Sequence, residues 1–504
     1  MILGTILCVA VSGCVQLPTS SPVHPGRTVG MQDQPPVVNN FHPEGPQVDE
    51  TPANIVKGYL LAMTAYPPAP DLVREFMTPQ AAAHWDPKAG LTVYTDQSIA
   101  PRDQAVTFSA RKLGSLDHRG SWHSATASER RLDEMIKVRK VHGQWRISNP
   151  PAGTLVDLGY FTHHYRSYSL YFFNADRSAL VADPVYLLYG GSTATALVRD
   201  ELLGPTRDIA DVASTIPIKT SALGVAVSVS ASGVAEVPLN DSVLSLSPED
   251  KRLLAAQLAW TLRQQFLGIS KITITVDGTA VDIPGVDDAF GVDQFEGYDP
   301  AAFAASGELY ALSKGHLVTA SLEDITEVTG PIGGSKLQAR SAAVDPPGDL
   351  AALVGDQGHT VQVGSVKEEP RLVRRSNWFT GGVNLLSPSW DVHKVLWLVD
   401  RTADGAVVYT VTADGHDVAE APGISGKDVR AFAVSRDGVR FAAIVGSGSS
   451  SSLVVATIQR KTGHPAQARL TGVHHVLNAE HDLTHLTGLA WSSPTDVVVL
   501  AKEH

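Results

Sequence analysis

Asp345, Asp391 and Asp437 recur at intervals of 46 residues, each between two short apolar runs. The first unit reads Ala343-Val344-Asp345-Pro346 and then Leu350-Ala351-Ala352-Leu353-Val354. The second reads Leu386-Ser387-Pro388-Ser389-Trp390-Asp391 and then Val395-Leu396-Trp397-Leu398-Val399. The third runs from Phe432-Ala433-Val434 through Asp437-Gly438 to Arg440-Phe441-Ala442-Ala443-Ile444-Val445, and a weaker fourth from Leu489-Ala490-Trp491 to Val497-Val498-Val499-Leu500. A repeat of strand, acidic turn and strand builds one small unit several times over. Each unit can bury its apolar face only against the next one. The aspartates therefore read as turn residues bonding their own backbone, not as a carboxylate constellation.

Strand–turn–strand units at this period look like β-propeller blades. The region from about 300 to 504 has room for roughly four to five of them at this period. The expectation is an incomplete propeller, truncated at its C-terminus. Trp378, Trp390, Trp397 and Trp491 fall inside the repeat and read as blade packing rather than as a sugar-stacking face.

The chain ahead of the repeat has a different texture. From 49 to 155 the pattern predicts helices first: Thr51-Pro52 opening a stripe of Ile55, Val56, Tyr59, Leu60 and Met63, a second from Asp71, and a third from Pro79 to Trp85. Strands follow at Leu91–Thr95, Gln104–Arg111, Ile136–His142 and Gln144–Ile147, the last two joined at Gly143. Helices followed by a curved antiparallel sheet resemble the NTF2-like fold. From 165 to 285 a second, α/β unit is expected. It has strands at Ser169–Phe173, Leu180–Ala182, Val185–Tyr189, Gly224–Ser230, Val234–Pro238 and Ile269–Val276, and helices at Thr195–Leu203 and from Ser247-Pro248 to Gly268.

The N-terminus carries an apolar run, Ile2 to Ala10, and then Val11-Ser12-Gly13-Cys14. This resembles a bacterial lipobox, which implies a signal peptide over 1–13 and cleavage between Gly13 and Cys14. It also implies an S-diacylglycerol on Cys14 with acylation of its new amine. The run is too short for a spanning helix, which needs about 20 apolar residues. Residues 14–48, with Pro18, Pro22, Pro25, Pro35, Pro36, Pro43 and Pro46, read as a tether. It could reach on the order of 100 Å fully extended or roughly 30–40 Å as a coil.

Composition narrows the function classes. Forty Lys and Arg against fifty-two Asp and Glu leave a net charge of −12, and no dense run of cations occurs along the chain. That argues against nucleic acid and against a polybasic membrane patch. Cys8 and Cys14 are the only cysteines. Removal of the signal would leave no internal disulfide, Cys-based zinc site or Cys–His catalysis.

The order of lipobox, Pro-rich tether, NTF2-like unit, α/β unit and propeller resembles the LpqB family of actinobacterial lipoproteins. The α/β unit resembles a GerMN domain through Val185-Tyr186-Leu187-Leu188, Glu201-Leu202-Leu203-Gly204-Pro205 and Ala256-Gln257-Leu258-Ala259-Trp260-Thr261-Leu262. Leu17-Pro18-Thr19-Ser20-Ser21 and Gln144-Trp145-Arg146-Ile147-Ser148 match the same family. The resemblance implies a non-catalytic accessory protein, lipid-anchored on the extracytoplasmic face of the cell membrane. Its implied partner is the extracellular domain of an MtrB-type sensor histidine kinase, in cell-wall homeostasis and division. A peptidoglycan- or glycan-binding lipoprotein is the alternative, and a wall-directed hydrolase the third reading.

No cofactor or metal is expected. His481 and His485 have helix spacing for a metal but lack the neighbouring glutamate of a zincin, and they read as loop. His163-His164 would point apart on a strand. Gly330-Pro331-Ile332-Gly333-Gly334-Ser335 lacks the following lysine of a phosphate cradle, and Gly446 to Ser452 reads as a blade loop.

Overall fold

Pro at the first helical position and a hydroxyl just before it start two of the first three helices among the described residues. The computed structural model describes residues 40–503 apart from 127, 176, 217, 219–222, 265–266, 301–305, 322–323, 334–337, 369–372, 462 and 478–482. Gly13, Cys14, the tether up to 39, Phe266, Gly334, Ser335 and His481 lie outside the described residues. In α1 (Pro52–Ala62) the Thr51 side chain accepts from the Asn54 N–H, and in α3 (Pro79–His84) that of Thr78 accepts from the Ala81 N–H. Between them lies α2 (Pro70–Glu75).

These helices cover one face of a sheet formed by β1 (Leu91–Pro101), β2 (Ala105–Leu116), β3 (Trp122–Ser124), β4 (Arg131–Val141), β5 (Gln144–Ile147) and β6 (Thr154–Asp157), ordered β5-β4-β2-β1-β6 with β3 on β2. Period-two alternation sends Val106, Phe108, Ala110, Ile136 and Val138 inward against Ile55, Val56, Tyr59 and Phe76. The strands run longer than the sequence predicts, because Ser, Thr and Arg positions continue the pairing where apolar residues stop. The outward positions gather cations. Arg111 lies opposite Arg131, and Arg139 opposite Arg146. The expectation that the chain has no basic patch is thus corrected: Lys137, Arg139 and Arg146 lie within ten residues, and the register adds Arg111 and Arg131 to their side of the sheet.

The second body starts at α4 (Leu158–His164), capped by Asp157. His163 and His164 close this helix rather than sitting on a strand, because the Asp157 side chain accepts from the Tyr160 N–H and starts a helical turn there. Next come β7 (Tyr165–Asn174) and β8 (Leu180–Leu188), a single hairpin; Pro184 is accommodated inside β8, which the sequence reading divides in two. Then follow α5 (Thr193–Leu202), β9 (Ala213–Ser214), β10 (Ser228–Val229), β11 (Val234–Pro238), α6 (Pro248–Leu262), β12 (Lys271–Val276) and β13 (Thr279–Ala280). The sheets are ordered β8-β7-β9 and β10-β11-β12-β13. Helix α6 ends at Leu262, short of the predicted Gly268, and the strand expected over Gly224–Ser230 shrinks to two residues.

Among the described residues five further sheets follow in chain order. The first has three strands (Leu309–Ser313, His316–Ala320, Ile325–Glu327) and the next three have four each, starting at Ala339, Ser389 and Val429; the last has two (Leu483–Trp491, Val497–Glu503). The first strands of successive sheets touch one another in order, as in the inner ring of a propeller. Each sheet buries its apolar face on the next, for example Trp397 and Val399 of the third against Phe432 and Phe441 of the fourth. The chain is mostly β, with few helices.

Candidate functional site

A dense set of buried charged groups lies where the three parts meet. In the loop after β2, the Asp117 carboxylate accepts from the backbone N–H groups of Arg119 and Ser121 at 2.9 Å each, fixing a tight turn. Gly120, at φ +84°, lies so close to β8 that a Cβ would sit 2.4 Å from the Tyr186 carbonyl oxygen. Only glycine fits there. The turn is held by the Tyr186 N–H, which donates to the Gly120 carbonyl at 2.8 Å.

That turn aims Arg119 at the C-terminal end of α5. Its guanidinium donates to the carbonyls of Asp200 (2.8 Å), Pro205 (3.0 Å) and Gly204. The last carbonyls of a helix lack partners within it, and a cation there satisfies them and the negative end of the helix dipole. Gly204, at φ +87°, supplies the left-handed turn that ends α5.

One residue beyond Pro205, the Thr206 N–H and hydroxyl donate to the two oxygens of Asp183 on β8, at 2.7 and 2.8 Å. Burial raises the Asp183 pKa, while the Thr206 bonds, Arg440 and Arg119 oppose the rise. Arg440 comes from the fourth blade. It donates to the Ala182 carbonyl at 2.5 Å, to the Asp437 carboxylate at 3.3 Å and to the Pro494 carbonyl of the fifth sheet at 3.4 Å. Beside it Val439 packs in the core of the second body, and the Thr457 hydroxyl donates to the Asp208 carbonyl at 2.9 Å. Arg119, the 204–206 turn, Asp183 and Arg440 thus form one continuous chain of contacts from the first sheet to the blades.

The same body holds two further buried acids. Asp200 is raised by burial, with Arg199, Arg119 and His118 working against it. Glu201, fully buried on α5, is pushed up to about 8 by burial, the Thr261 side chain pulling it partly back. Neither Glu201 oxygen has a hydrogen-bond partner within normal reach. At neutral pH it is therefore a neutral acid in an apolar interior.

Polar residues of α6, with Gln264 just past its end, meet the stretch of β7 that β9 leaves unpaired. Gln257 donates from its amide to the Tyr171 carbonyl at 2.9 Å, and Thr261 Oγ1 accepts the Tyr171 N–H at 3.0 Å. Gln264 makes both bonds to the Ser169 backbone. At positions i, i+4 and i+7 these side chains pair the β7 backbone where β9 does not extend.

The sequence-predicted residues fare unevenly. Asp345, Asp391 and Asp437 stay apart, each accepting backbone N–H groups of its own turn, from Asp349 and Leu350, from His393 and Val395, and from Val439. Trp390 and Trp397 are buried between blades, and Trp390 and Trp491 each donate to a carbonyl of the preceding sheet, of Ala343 and Ala433. Among the described residues no group of three or more His, Cys, Asp and Glu could hold a metal ion, and no helix is long and apolar enough to cross a membrane. Arg119, Arg440 and Asp183 went unmarked in the sequence; the Asp-x-Arg-Gly turn beginning at Asp117 is the one local hint.

These features define a multidomain, mostly β protein, with a GerMN-like body followed by propeller-type sheets. Family models match in three places: the Lipoprotein LpqB N-terminal domain over 45–162, the Sporulation and spore germination (Germane) family over 169–282, and the Lipoprotein LpqB beta-propeller domain over 315–504. The chain belongs to the LpqB lipoprotein family. Lipoprotein LpqB of Cutibacterium acnes is 27% identical over 516 residues, spanning 98% of this chain and 85% of that one. Lipoprotein LpqB of Thermobifida fusca is 26% identical over 99% of this chain and 86% of its own length. Among solved structures, the first GerMN domain of the sporulation protein GerM from Bacillus subtilis aligns at 21% identity over 25% of this chain and 98% of that one, with a TM-score of 0.21.

Proposed function

We propose that this chain is a lipid-anchored, extracytoplasmic accessory protein without catalytic activity, which binds and modulates an MtrB-type sensor histidine kinase in cell-wall homeostasis and division. The observation that carries the reading is membership of a lipoprotein family along nearly the whole chain. Cys14, behind Ser12-Gly13, is the residue that would carry the acyl chains after cleavage at Gly13. The working division is an NTF2-like domain over 49–155, supported by three helices on one face of a curved sheet, a GerMN domain over 165–285, and a propeller from 300 onward.

The buried charges favour a binding role over chemistry, because they serve to join domains: Arg119 caps α5, Asp183 holds Thr206, and Arg440 grips β8. Tethering at a membrane raises the effective concentration near a membrane partner, so a weak contact suffices.

Two measurements test the reading. Mass spectrometry of the protein from a native membrane fraction should find a diacylated N-terminal Cys14; an unmodified Cys14 removes the anchor. A pull-down of the extracellular region of the kinase by the purified chain at micromolar concentration should enrich it. No enrichment eliminates that partner.

A further inference from the structure

The outer face of the first sheet collects cations in an otherwise acidic chain. Cross-strand register places Arg111 opposite Arg131, Thr107 opposite Met135 and Ala105 opposite Lys137. On the other side of β4, Arg139 lies opposite Arg146. Arg102 reaches the same face, its Nε donating to the Thr107 hydroxyl at 3.4 Å. The inward positions between them, Val106, Phe108, Ile136 and Val138, are buried under the helices, so these cations share the solvent side.

Two carboxylates partly offset them: Asp96 pairs with Arg111 at 2.9 Å, and Asp133 pairs with Arg131. Among the described residues, Lys137, Arg139 and Arg146 have no carboxylate in salt-bridge range. Directly opposed like charges weaken a strand pair, so the Arg139–Arg146 pairing is a local cost. Met135 stands in the middle of this face, 58% exposed. A sheet that keeps mutually repelling cations around an exposed methionine is shaped by something other than its own stability.

We propose that this face docks on the surface of a membrane containing anionic phospholipids. Charge complementarity selects the occupant: several cations spread over one face of the sheet match an array of phosphates better than a single ligand. Covalent continuity supports it, since this sheet belongs to the domain that comes first in the chain after Cys14 and the Pro-rich stretch. With a net charge of −12 the chain as a whole is repelled by such a surface. The attraction must act at contact, within a screening length of about 8–10 Å at physiological salt. Docking would lay the first sheet on the bilayer as a contact additional to the acyl chains.

The proposal uses the anchoring reading only to say which surface lies close, and the test separates the two. The full chain with Cys14→Ser, which cannot be acylated, is sedimented with phosphatidylcholine vesicles and with vesicles about one-third phosphatidylglycerol. Binding is expected to the anionic vesicles alone and lost at about 1 M salt, where the screening length falls to about 3 Å. Lys137→Gln with Arg139→Gln should weaken partitioning roughly twentyfold, each cation near an anionic surface contributing about fivefold. Lys461→Gln on the fourth blade should leave it unchanged. Both double-variant side chains are exposed, and circular dichroism checks folding. Equal affinity for both vesicle types, no binding to either, or undiminished binding by the double variant overturns the proposal, and capture of an acidic protein by this face without vesicle binding does so too. Binding by the Cys14→Ser chain stands whether or not native Cys14 is acylated.

Discussion

Arg440 donates to the carbonyl of Ala182 at 2.5 Å, one residue before Asp183. A side chain from the propeller sheets thus fixes the strand whose next residue holds the 204–206 turn, and Arg119 of the first sheet binds that turn. The three bodies share one buried polar seam, so loosening it at either arginine should be felt across it.

Arg440→Ala would leave Asp437 Oδ2 without its cation and the carbonyls of Ala182 and Pro494 without their donor. Breaking a buried charge pair on one side costs about 3–5 kcal/mol. Arg119→Ala, which leaves helix-end carbonyls unsatisfied, should cost about 1–3 kcal/mol. Arg440→Lys should recover only part, because a compact ammonium cannot span three acceptors. Chemical denaturation measures the losses. Hydrogen exchange should show opening at 180–188 and 204–208 in both alanine variants; a change confined to the mutated element would refute the shared seam.

Glu201 makes stability depend on pH in a direction opposite to that of most carboxylates. Its folded pKa, about 8, stands above the ordinary value of 4.5. The folded state therefore binds this proton more tightly than the unfolded chain. Its contribution is complete below about pH 4.5 and is lost as pH rises through about 8, at about 1.4 kcal/mol per pH unit within that window. Burial raises Asp183 and Asp200 with the same sign, so they add to the slope. Glu201→Gln removes its share. Denaturation midpoints between pH 5 and 9 should fall with pH in the parent and flatten in the variant, with the variant ahead at pH 8; parallel curves would show that Glu201 is not the titrating group.

What the sequence revealed, and what it withheld, follows the range of the interactions. The aspartate repeat, the Thr51-Pro52 helix start and the Gly143 hairpin rest on contacts within a few residues, and each is recognisable locally. The motif containing Gln257 and Thr261 stood out by resemblance, but its purpose is to pair the β7 backbone 90 residues earlier, where β9 does not reach, as the Tyr171 bond shows. Arg119 and Arg440 look like ordinary surface arginines until β8 is brought between them. The basic face is spread over β2, β4 and β5; Lys137, Arg139 and Arg146 stand within ten residues of one another, but only the strand register shows that they share a side with Arg111 and Arg131. His163 and His164 were misplaced because the Asp157 cap outweighs the strand propensity of the aromatic residues after it.

Gln257 and Thr261 should be distinguishable by which amide they protect. Thr261→Val removes the acceptor of the Tyr171 N–H and the polar neighbour of Glu201. Gln257→Leu orphans the Tyr171 carbonyl and the Ile216 N–H. Each should cost about 1–3 kcal/mol, the penalty of a buried unsatisfied group. Amide exchange at Tyr171 should accelerate in Thr261→Val more than in Gln257→Leu, and exchange at Ile216 should show the reverse. Equal acceleration at both sites would mean general loosening of α6 and not edge pairing.

The repeated aspartates occupy equivalent turns but do unequal work, which gives a comparison within one molecule. Asp391 accepts from the Trp397 indole N–H at 2.7 Å and from Arg460 at 2.8 Å on one oxygen, and from two backbone N–H groups on the other. In Asp345 the corresponding Oδ2 has no partner, and burial raises the pKa of the group. An asparagine amide can replace one carboxylate oxygen as acceptor, but its NH₂ can only donate. In Asp391→Asn that NH₂ must face either the indole and guanidinium donors or the backbone ones, and the loss should reach about 3 kcal/mol or more. In Asp345→Asn it can occupy the unpartnered side and relieve a buried charge, so the change should stay within about 1 kcal/mol. Denaturation of the two variants side by side decides it; equal losses would mean that the turn backbone alone, and not the Trp397–Arg460 link between blades, sets the role of these residues.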